Sequence, residues 1–373
     1  MSRLKVGVIG VGTMGAQVLW QLSKRGVDAV GFEPYAPGHP RGAAGGESRL
    51  FRNIELEDLR YSPIVARADE LWRDLESESG RVLRLLEGAI VMGSPAHEQM
   101  QNALRAVEHT EHPYEILDET ELNRRYPAFA VDPGDIGIVD HTGGIIRPEL
   151  TVATAARVAV ANGAIIHRNT PVLDVAEDGS DVWITTASGR ERFDRVVVTA
   201  GGWTSHLLPR MEPMFQVRRL ISAWFFGREA QYLDRVLPFI RTEPGYCYGL
   251  PVADRSAMKI GLGFANHLVV DHADSVERRV HPDEIEPFRR IIERYMPGLD
   301  SDPMRTETYI ESYTPDRHEF ISEHPDLHNI IVMSGFSGHG FKMAPAVGEI
   351  GAQLALDGTT ALDIEFLRHR GEL

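Results

Sequence analysis

The chain has 373 residues, a length that favours two domains over one or three. Its formal net charge of −15 argues against a nucleic-acid partner, because such partners are bound through clustered Lys and Arg side chains. The single cysteine, Cys247, excludes an internal disulfide and any multi-thiolate metal site, and no apolar run approaches the roughly 20 residues that span a bilayer.

The first segment predicts a dinucleotide-binding strand, turn and helix. The strand Leu4 to Ile9 begins almost at Met1, so we expect no signal peptide and a cytoplasmic protein without a membrane partner. A Gly-x-Gly-x-x-Gly turn brings backbone close to a pyrophosphate, and the acid that ends the second strand, "DAVGFEP", accepts hydrogen bonds from a ribose. This acid disfavours NADP but leaves NAD and FAD open. The predicted contacts are Gly10, Gly12, Thr13, Met14, Gly15 and Glu33.

A Pro- and Gly-rich stretch, "PYAPGHPRGAAGGESRLFR", follows the second strand and ends in Arg49 and Arg52. Two interpretations of these arginines are open. They form a solvated surface pair, or they bind a ligand, since a guanidinium suits bidentate binding of a carboxylate. The small residues Gly45, Gly46 and Ser48 leave backbone accessible and favour the second interpretation.

The middle of the chain alternates between helical and strand patterns and predicts interleaved domains. A second set of Rossmann-type elements precedes "RFDRVVVTAGGW", and the region from about Phe215 to Met304 is rich in strands. We predict an α/β fold (α+β overall), in which a Rossmann-type cofactor-binding domain is interleaved with a mixed-sheet substrate domain. The cofactor-binding domain comprises 1–80, 140–214 and 305–373, and the substrate domain comprises 81–139 and 215–304.

Three residues in the strand-rich region allow two interpretations each. Lys259 interrupts the apolar strand "AMKIG", so it either snorkels to solvent or is held for chemistry. Tyr248 is a core aromatic or a site residue. Arg241 is a strand-edge residue that faces water or pairs with Glu243, or it reaches the site. The stretch "HLVVDHADSVERRVHPDE" has no standard metal-ligand spacing, so we predict no metal site at His267, Asp271, His272 and His281.

The last segment, "NIIVMSGFSGHGFKMAPAVGEIGAQLAL", predicts a strand, a loop with three glycines, and a helix from near Met343. A helix N-terminus offers free N–H groups and a partial positive charge, which stabilise negative charge on a bound group. Lys342 stands at the end of the loop, as a solvated charge or as a ligand-binding cation.

Over nearly its whole length the chain resembles the FAD-dependent amine oxidases of the monomeric sarcosine oxidase and N-methyltryptophan oxidase family. The broader group includes D-amino acid oxidase and glycine oxidase. The motifs that carry the resemblance are "GGESRLFR", "VVVTAGGW", "YGLP", "MKIG", "SYTPD" and "GFSGHGFK". The resemblance implies FAD rather than NAD, with further cofactor contacts at Ser48, Arg49, Val172, Ala200, Gly201, Trp203, Gly335, Gly338, His339, Gly340 and Lys342.

The same resemblance implies roles for the basic residues. Arg52 and Lys342 would hold the substrate carboxylate, and Tyr248 would line the active site. Arg49 and Lys259 would lie near the flavin, where a fixed cation lowers the barrier to electron transfer onto oxygen.

The chain departs from the family pattern at three positions. Tyr309 stands where sarcosine oxidases carry the cysteine that binds FAD covalently, so we expect non-covalent FAD. Glu311 replaces a tyrosine of the substrate site and Gly263 replaces a histidine, which predicts a larger and more polar pocket. With Arg241 as the ligand of a second carboxylate, we favour an iminodiacetate-type substrate over sarcosine, although Glu311 would repel a second acid unless it is neutralised.

The expected function is the oxidation of the C–N bond of a small secondary amino acid. The resulting imine hydrolyses, and oxygen is reduced to hydrogen peroxide. We expect the amino acid and O2 to be the partners of a monomer or small homo-oligomer. The alternatives are an amine dehydrogenase with another electron acceptor, an NAD-dependent dehydrogenase, and a non-catalytic FAD-binding protein.

Overall fold

Residues 3–229 and 231–368 are described by a computed structural model, and residues 1–2, 230 and 369–373 of the predicted domains lie outside it. The strands are β1 (Lys5–Ile9), β2 (Asp28–Glu33), β3 (Arg49–Phe51), β4 (Arg84–Leu85), β5 (Ala89–Gly93), β6 (Tyr114–Leu117), β7 (Ile136–Asp140), β8 (Gly144–Ile146), β9 (Ile165–Arg168), β10 (Val172–Asp178), β11 (Asp181–Thr186), β12 (Gly189–Phe193), β13 (Arg195–Val198), β14 (Gln216–Phe225), β15 (Phe239–Arg241), β16 (Cys247–Pro251), β17 (Met258–Leu262), β18 (Leu268–Val269), β19 (Arg305–Tyr313), β20 (Phe320–Glu323) and β21 (Ile330–Ser334). The helices are α1 (Thr13–Lys24), α2 (Ser62–Ser79), α3 (Glu98–Val107), α4 (Glu119–Arg125), α5 (Pro148–Ala161), α6 (Thr204–Leu207), α7 (Pro282–Tyr295) and α8 (Ala344–Asp357).

A six-stranded sheet with the order β20-β21-β13-β1-β2-β9 contains the first strand of the chain. All neighbours pair in parallel except β20 and β21. The chain runs from β1 to β2 on one side, whereas β13 pairs with the other side of β1, so the strand order reverses there. Ligands of open parallel sheets bind outside the carboxyl ends of the strands at such a switch point. This point lies beyond Ile9 and Val198.

Both faces of this sheet are covered by apolar residues. Val8 of β1 belongs to a fully buried cluster with Leu19 of α1 and Ile350 of α8, which places helices on one face. Ile9 points to the opposite face, because side chains alternate along a strand. There it clusters with Ile184 of the three-stranded antiparallel sheet β10-β11-β12.

The second large sheet is mixed and has nine strands. Its order is β18-β14-β17-β16-β15-β5-β7-β6, and β19 pairs with β14. A third, small sheet has the order β3-β8-β4. Strands of the six-stranded and nine-stranded sheets alternate along the chain, in agreement with the interleaved architecture predicted from the sequence.

One predicted boundary between the domains is wrong. The sequence analysis assigns residues from 305 onward to the cofactor-binding domain, but β19 pairs with β14 from Arg305 to Tyr313. The nine-stranded sheet therefore extends to Tyr313. The other boundaries stay predictions.

The nine-stranded sheet turns one face, here called the site face, toward the cofactor-binding elements. In its strands Lys259 lies opposite Trp224, and Tyr248 lies opposite Gly261. Residues directly opposite each other share a face, and every second residue along a strand does so too. By this rule Glu311 of β19 also belongs to the site face.

The opposite face, here called the helix face, is covered by α7. Its residues include Phe239, Cys247 and Ile260, which form a buried cluster with Phe288 and Ile292 of the helix. This cluster fixes the orientation of the sheet, because a register slip of one residue would turn these side chains to the site face. Among the described residues, no helix is long and apolar enough to span a membrane.

Candidate functional site

The glycine-rich turn lies at the switch point of the six-stranded sheet. Gly10 has φ +87°, and a Cβ on it would lie 2.8 Å from the carbonyl oxygen of Thr199, so only glycine fits. Thr199 Oγ1 donates to the Gly10 carbonyl at 2.7 Å and thereby joins the turn to the segment Ala200–Gly201. No described atom lies within 4 Å of the position that a Cβ would take on Gly12. The turn thus faces open space beside the start of α1 at Thr13.

Glu33 ends β2 beside this turn. Its Oε2 accepts a hydrogen bond from the backbone N–H of Val11 at 2.9 Å, and its Oε1 accepts one from that of Tyr35 at 3.0 Å. His39 Nε2 also lies 3.0 Å from Oε1. The carboxylate is therefore fixed beside the glycine-rich turn, and its contact with a ribose stays a prediction.

Lys259 is fully buried and does not snorkel to solvent. Its Nζ donates to the carbonyl oxygens of Ser48 at 2.7 Å and Gly46 at 3.0 Å. Burial, followed by the charge of Arg49, lowers the pKa of Lys259 well below its ordinary value. A lysine held in this way responds strongly to any negative charge that arrives beside it.

Arg49 is brought next to Lys259 by a shared carbonyl group. Its NH1 donates to the Ser48 carbonyl at 2.9 Å, and its NH2 donates to the Ala43 carbonyl at 2.6 Å. The guanidinium carbon lies 5.7 Å from the ring centre of Tyr309. The hydroxyl of Ser48 is buried here without a hydrogen-bond partner among the described residues.

Arg52 and Lys342 also lie together, but both already contact glutamates. Arg52 NH2 lies 2.7 and 2.6 Å from the two carboxylate oxygens of Glu57, to which it donates. Lys342 Nζ lies 3.2 Å from Oε1 and 3.3 Å from Oε2 of Glu55, and 3.4 Å from Glu57 Oε2. We call these four residues the carboxylate cluster.

The two glutamates of the carboxylate cluster differ in their protonation behaviour. Burial alone would raise the pKa of Glu57, but Arg52 and Lys342 lower it well below its ordinary value. Burial raises the pKa of Glu55 despite the same two cations. Arg52 is thus paired with a firmly ionised carboxylate, and a second carboxylate can bind Arg52 only in competition with Glu57.

The predicted glycine loop approaches the carboxylate cluster. Gly335 and Gly338 have φ of +73° and +89°, and a 3-10 turn over Gly340–Met343 leads directly into α8. His339 Nε2 lies 3.0 Å from the carbonyl oxygen of Arg317, while its Nδ1 is buried without a partner among the described residues. Burial lowers the pKa of His339 to about 4. This imidazole is therefore neutral at pH 7.

Two tyrosines occupy the site face because two glycines of "MKIGLGF" leave room for them. A Cβ on Gly261 would lie 2.1 Å from the ring of Tyr248. A Cβ on Gly263 would lie 2.7 Å from the Cβ of Tyr246. The expectation that Gly263 enlarges the pocket is wrong, because Tyr246 fills the space above it.

Glu311 faces the glycine loop beside Arg49. Burial, against the influence of Arg49, raises the pKa of Glu311. Its Oε2 lies 3.2 Å from the hydroxyl oxygen of Tyr313, and a Cβ on Gly338 would lie 3.3 Å from the same atom. The prediction that Glu311 places a polar group on the site face therefore agrees with the geometry. The role of Glu311 as a substrate contact stays a prediction.

Arg241 lies away from these residues, which corrects the prediction that it binds a second substrate carboxylate. It is opposite Cys247 on the helix face, whereas Tyr248 is on the site face. Its NH2 donates to Asp132 Oδ2 at 2.8 Å and to Asp135 Oδ2 at 2.7 Å. Arg241 is buried in a structural ion pair, so the alternative of a water-facing arginine or a pair with Glu243 is also wrong.

The structure gives FAD no nearby cysteine to bind. Cys247 is buried on the helix face, and burial raises the pKa of its thiol to about 12. At the place of the cysteine of sarcosine oxidases, the Tyr309 ring packs near Gly45, and its hydroxyl donates to Glu307. Both observations support attachment of FAD without a thioether.

Two other predicted cofactor contacts lie beside the switch point. Val172 begins β10 two residues after Thr170, whose N–H donates to the Glu33 carbonyl at 2.9 Å. Trp203 follows the Ala200–Gly201 segment, but its indole N–H donates to Asp274 Oδ1 at 2.8 Å. The indole of Trp203 is therefore hydrogen-bonded to Asp274. We expect Trp203 to contact the cofactor through its backbone only.

Sequence reasoning missed Glu55, Glu57 and Tyr246. The two glutamates stand in "NIELEDL" directly after the arginine motif, where they resemble an exposed acidic loop. A signal was nevertheless present, because a buried arginine and lysine require counter-charges close by. Tyr246 was detectable as the residue that pairs with Gly263 once the register of β16 and β17 is known.

The described residues fit an FAD molecule. Three observations support this fit: the open space beside Gly12, the fixed carboxylate of Glu33, and the orphaned hydroxyl of Ser48, whose carbonyl accepts from Lys259. No group of three His, Cys, Asp or Glu side chains that could hold a metal ion occurs among residues 3–229 and 231–368. At one of the histidines considered in the sequence analysis, His267, the two ring nitrogens contact Tyr313 and the carbonyl of Leu262.

Comparisons with known proteins find relatives over nearly the whole chain. Residues 5–354 match the family described as FAD dependent oxidoreductase. The chain is 32% identical to monomeric sarcosine oxidase of Streptomyces avermitilis over 360 residues, covering 95% of this chain and 94% of that protein. It is 31% identical to N-methyl-L-tryptophan oxidase of Yersinia pestis over 362 residues, covering 96% of each.

Solved structures share the fold at lower identity. NikD, an amino acid oxidase essential for nikkomycin biosynthesis, superimposes with a TM-score of 0.85 at 23% identity, covering 100% of this chain and 99% of that one. Glycine oxidase from Geobacillus kaustophilus superimposes with a TM-score of 0.81 at 20% identity, covering all of both chains.

Proposed function

Because the chain belongs to the FAD dependent oxidoreductase family, we propose that it oxidises the C–N bond of a small secondary amino acid with oxygen as the electron acceptor. It is an FAD-dependent amine and amino-acid oxidase of the sarcosine oxidase type. The NAD-dependent dehydrogenase and the non-catalytic FAD-binding protein considered from the sequence are thereby excluded.

The carboxylate cluster is the observation that carries the proposal for an amino-acid substrate. Two buried cations, Arg52 and Lys342, meet at one place, and only one of the two accompanying glutamates has a lowered pKa. A substrate carboxylate that displaces Glu57 from Arg52 gains a planar, bidentate partner and a second cation. A simple amine without a carboxylate would leave Arg52 with Glu57.

Binding of the carboxylate at one end orients the rest of the substrate toward the site face. Tyr246 and Tyr248 line the space next to Arg52 and Arg49, and both are partly buried, which raises the pKa of each phenol. Their rings exclude water from the C–N bond. Holding a substrate in this way contributes to rate because the reacting atoms no longer have to find each other.

When bound, FAD supplies the acceptor for the hydride or its equivalent. Arg49 supplies a positive charge at the Ser48 carbonyl, a place that the sequence motifs assign to the flavin, and Lys259 supplies a second one below its lowered pKa. Fixed cations favour the transfer of electrons onto oxygen, since negative charge develops there. Lys259 is therefore the residue that supports oxygen over another acceptor.

The substituent on the nitrogen is less constrained by the structure than the carboxylate. With Arg241 on the helix face, an iminodiacetate-type substrate loses its main support. Tyr246 above Gly263 restricts the pocket, which favours a small substituent such as the methyl group of sarcosine. N-methyltryptophan carries the same methyl group on its nitrogen, but the indole group attached through its α-carbon requires additional space.

The test is anaerobic addition of amino acids to the purified yellow protein. We expect sarcosine to bleach the flavin absorbance and oxygen to restore it with formation of hydrogen peroxide. N-methyltryptophan and iminodiacetate should be poorer substrates by kcat/KM. Bleaching by simple amines but not by amino acids, or failure of oxygen to restore the colour, would contradict the proposal.

A further inference from the structure

A hydrogen-bonded chain connects the site face to the outer surface of the nine-stranded sheet. The hydroxyl oxygen of Tyr313 lies 3.2 Å from Glu311 Oε2 and 2.9 Å from His267 Nδ1. His267 Nε2 lies 2.9 Å from the carbonyl oxygen of Leu262. His267 is partly exposed, next to the exposed Leu268 at the edge of the sheet.

The number of available hydrogen atoms determines which atom donates each hydrogen bond in this network. The Leu262 carbonyl can only accept, so His267 Nε2 carries a hydrogen. Burial lowers the pKa of His267 to about 4, so at pH 7 its Nδ1 has a lone pair and accepts the single hydrogen of Tyr313. Tyr313 then has no hydrogen left for Glu311. The contact with Glu311 Oε2 is a hydrogen bond only when Glu311 is a carboxylic acid and donates it.

The surroundings of both ends support this assignment. Arg49 and Lys259 are the charged groups that act on Glu311, and Tyr248 is its neutral neighbour. Burial outweighs the two cations and raises the pKa of Glu311. At the other end Arg218, whose NH1 donates to the His267 carbonyl at 2.9 Å, disfavours a positive charge on the imidazole.

We propose that Glu311, Tyr313 and His267 form a proton relay that removes the ammonium proton of the bound substrate, a function that rests on the proposed oxidation of a secondary amino acid. An ammonium nitrogen has no lone pair to form the imine, so it must lose a proton before the hydride leaves. In this proposal Glu311 is the catalytic residue and contacts the substrate nitrogen beside Arg49 and Tyr248, and Tyr313 and His267 are positioning residues that act through it.

The transfer balances in protons and involves no electrons. The substrate nitrogen gives its proton to Glu311 Oε1, which has no hydrogen-bond partner among the described residues. Glu311 Oε2 gives its proton to the Tyr313 oxygen, and the original Tyr313 proton passes to His267 Nδ1. In the same concerted transfer His267 releases its Nε2 proton to water, as the partly exposed imidazole turns from the Leu262 carbonyl toward solvent, so that no imidazolium accumulates. Rotation of the carboxyl group and proton exchange of the imidazole with solvent restore the initial state.

The relay also explains how a glutamate can occupy the substrate site of an enzyme for anionic amino acids. A neutral Glu311 does not repel the substrate carboxylate, which an ionised side chain in a buried pocket would do. The protonated amine of the substrate then determines which ligands the site selects.

The resting enzyme provides the first test, which needs no turnover. The infrared spectrum of the FAD-loaded protein at pH 7 should contain a carbonyl band of a protonated carboxyl group that is lost in Glu311→Gln and shifted in Tyr313→Phe. If Glu311→Gln removes no such band, Glu311 is ionised and the relay is excluded, whatever the protein oxidises.

The second test is the pH dependence of anaerobic flavin bleaching at saturating sarcosine. At pH 7, Tyr313→Phe and His267→Gln should lower the limiting rate by roughly tenfold or more, and by less than about twofold near pH 10, where the amine loses its proton unaided. Tyr232→Phe, whose hydroxyl donates to the Ala128 carbonyl, is the matched control and should keep the parent profile.

A rate ratio that stays constant across pH would show that Tyr313 acts only through packing and would overturn the relay. If sarcosine and the other N-substituted amino acids fail to bleach the parent, the proposed function is wrong and the infrared test still decides the protonation of Glu311. The two failures are therefore distinguishable.

Discussion

The Arg52 guanidinium donates to both carboxylate oxygens of Glu57, from one nitrogen at 2.7 and 2.6 Å. A ligand carboxylate must compete with Glu57 for this arginine, and the lowered pKa of Glu57 means that the competitor stays charged at pH 7. Removing its charge should therefore strengthen the binding of carboxylate ligands.

We expect Glu57→Gln to lower the Kd of methoxyacetate, the oxygen analogue of sarcosine, by about tenfold, which is ~1.4 kcal/mol. Binding is measured by titration of the flavin absorbance in the oxidised enzyme. Glu70→Gln, at an exposed glutamate that pairs with Arg67, is the control. Weaker binding in Glu57→Gln would show that Glu57 positions Arg52 rather than competes for it.

Lys259 is expected to serve the reaction with oxygen more than the binding of the amine. Lys259→Met should slow reoxidation of the reduced enzyme by on the order of a hundredfold, with a smaller effect on substrate affinity. Stopped-flow mixing of the reduced enzyme with oxygen measures the reoxidation rate, and anaerobic flavin reduction at varied substrate concentration measures the substrate affinity. An unchanged reoxidation rate would remove Lys259 from this role.

The lowered pKa of Lys259 adds a pH dependence with a definite sign. A lysine is charged below its pKa, so the reoxidation rate of the parent should fall as pH rises through this lowered value. In Lys259→Met the fall should be absent. Lys24→Met, at a partly exposed lysine near Asp74, should retain it.

FAD should be released intact on denaturation, because Tyr309 and not a cysteine stands at the predicted attachment point. After acid precipitation all of the yellow colour is expected in the supernatant. Flavin fluorescence on the denatured polypeptide band would contradict non-covalent binding.

The sequence was sufficient for the cofactor-binding elements because they depend on local rules. The strand, the glycine turn and Glu33 lie within 30 residues of one another, and their spacing alone predicts how they meet at the switch point. The same holds for the glycine loop before α8, whose start at Ala344 is one residue after the predicted one.

The substrate side of the site depends on long-range pairing, and there the sequence was insufficient. Whether Arg241 faces the site is decided by the register of β15 against β16, which no local pattern reveals. Similarly, the sequence alone indicates empty space above Gly263, because it does not show that Tyr246 lies there. The relay from Glu311 to His267 joins residues 44 positions apart and follows only from the pairing of β18 and β19 with β14.

Glu319 should make the stability of the protein depend on pH. Its side chain is fully buried and accepts a hydrogen bond from Tyr61 at 2.7 Å, and burial raises its pKa from 4.5 to about 7. The folded state thus prefers the protonated form. This contribution is fully present below pH 4.5 and is lost as pH rises to about 7.

Glu319→Gln, which stays neutral, should therefore be less sensitive to pH than the parent. Between pH 5 and pH 8 its free energy of unfolding should gain about 3 kcal/mol relative to the parent, as measured by denaturant midpoints. Glu293→Gln, on the exposed side of α7, should show no such gain. Parallel stability curves for parent and Glu319→Gln would contradict the raised pKa.

Arg241 gives the last prediction, which separates a structural ion pair from a substrate contact. Its guanidinium is buried against Asp132 and Asp135 and lies 3.8 Å from the ring centre of Tyr295. Arg241→Leu leaves the buried Asp135 without its counter-charge, whereas Asp132 keeps its ion pair with Arg294, and the loss should lower the free energy of unfolding by roughly 3–5 kcal/mol. Because the residue is on the helix face, kcat/KM for sarcosine and for iminodiacetate should change by the same factor. A selective loss with iminodiacetate would instead return Arg241 to the substrate site, since truncation of a charged partner is costly only for the substrate that carries the second charge.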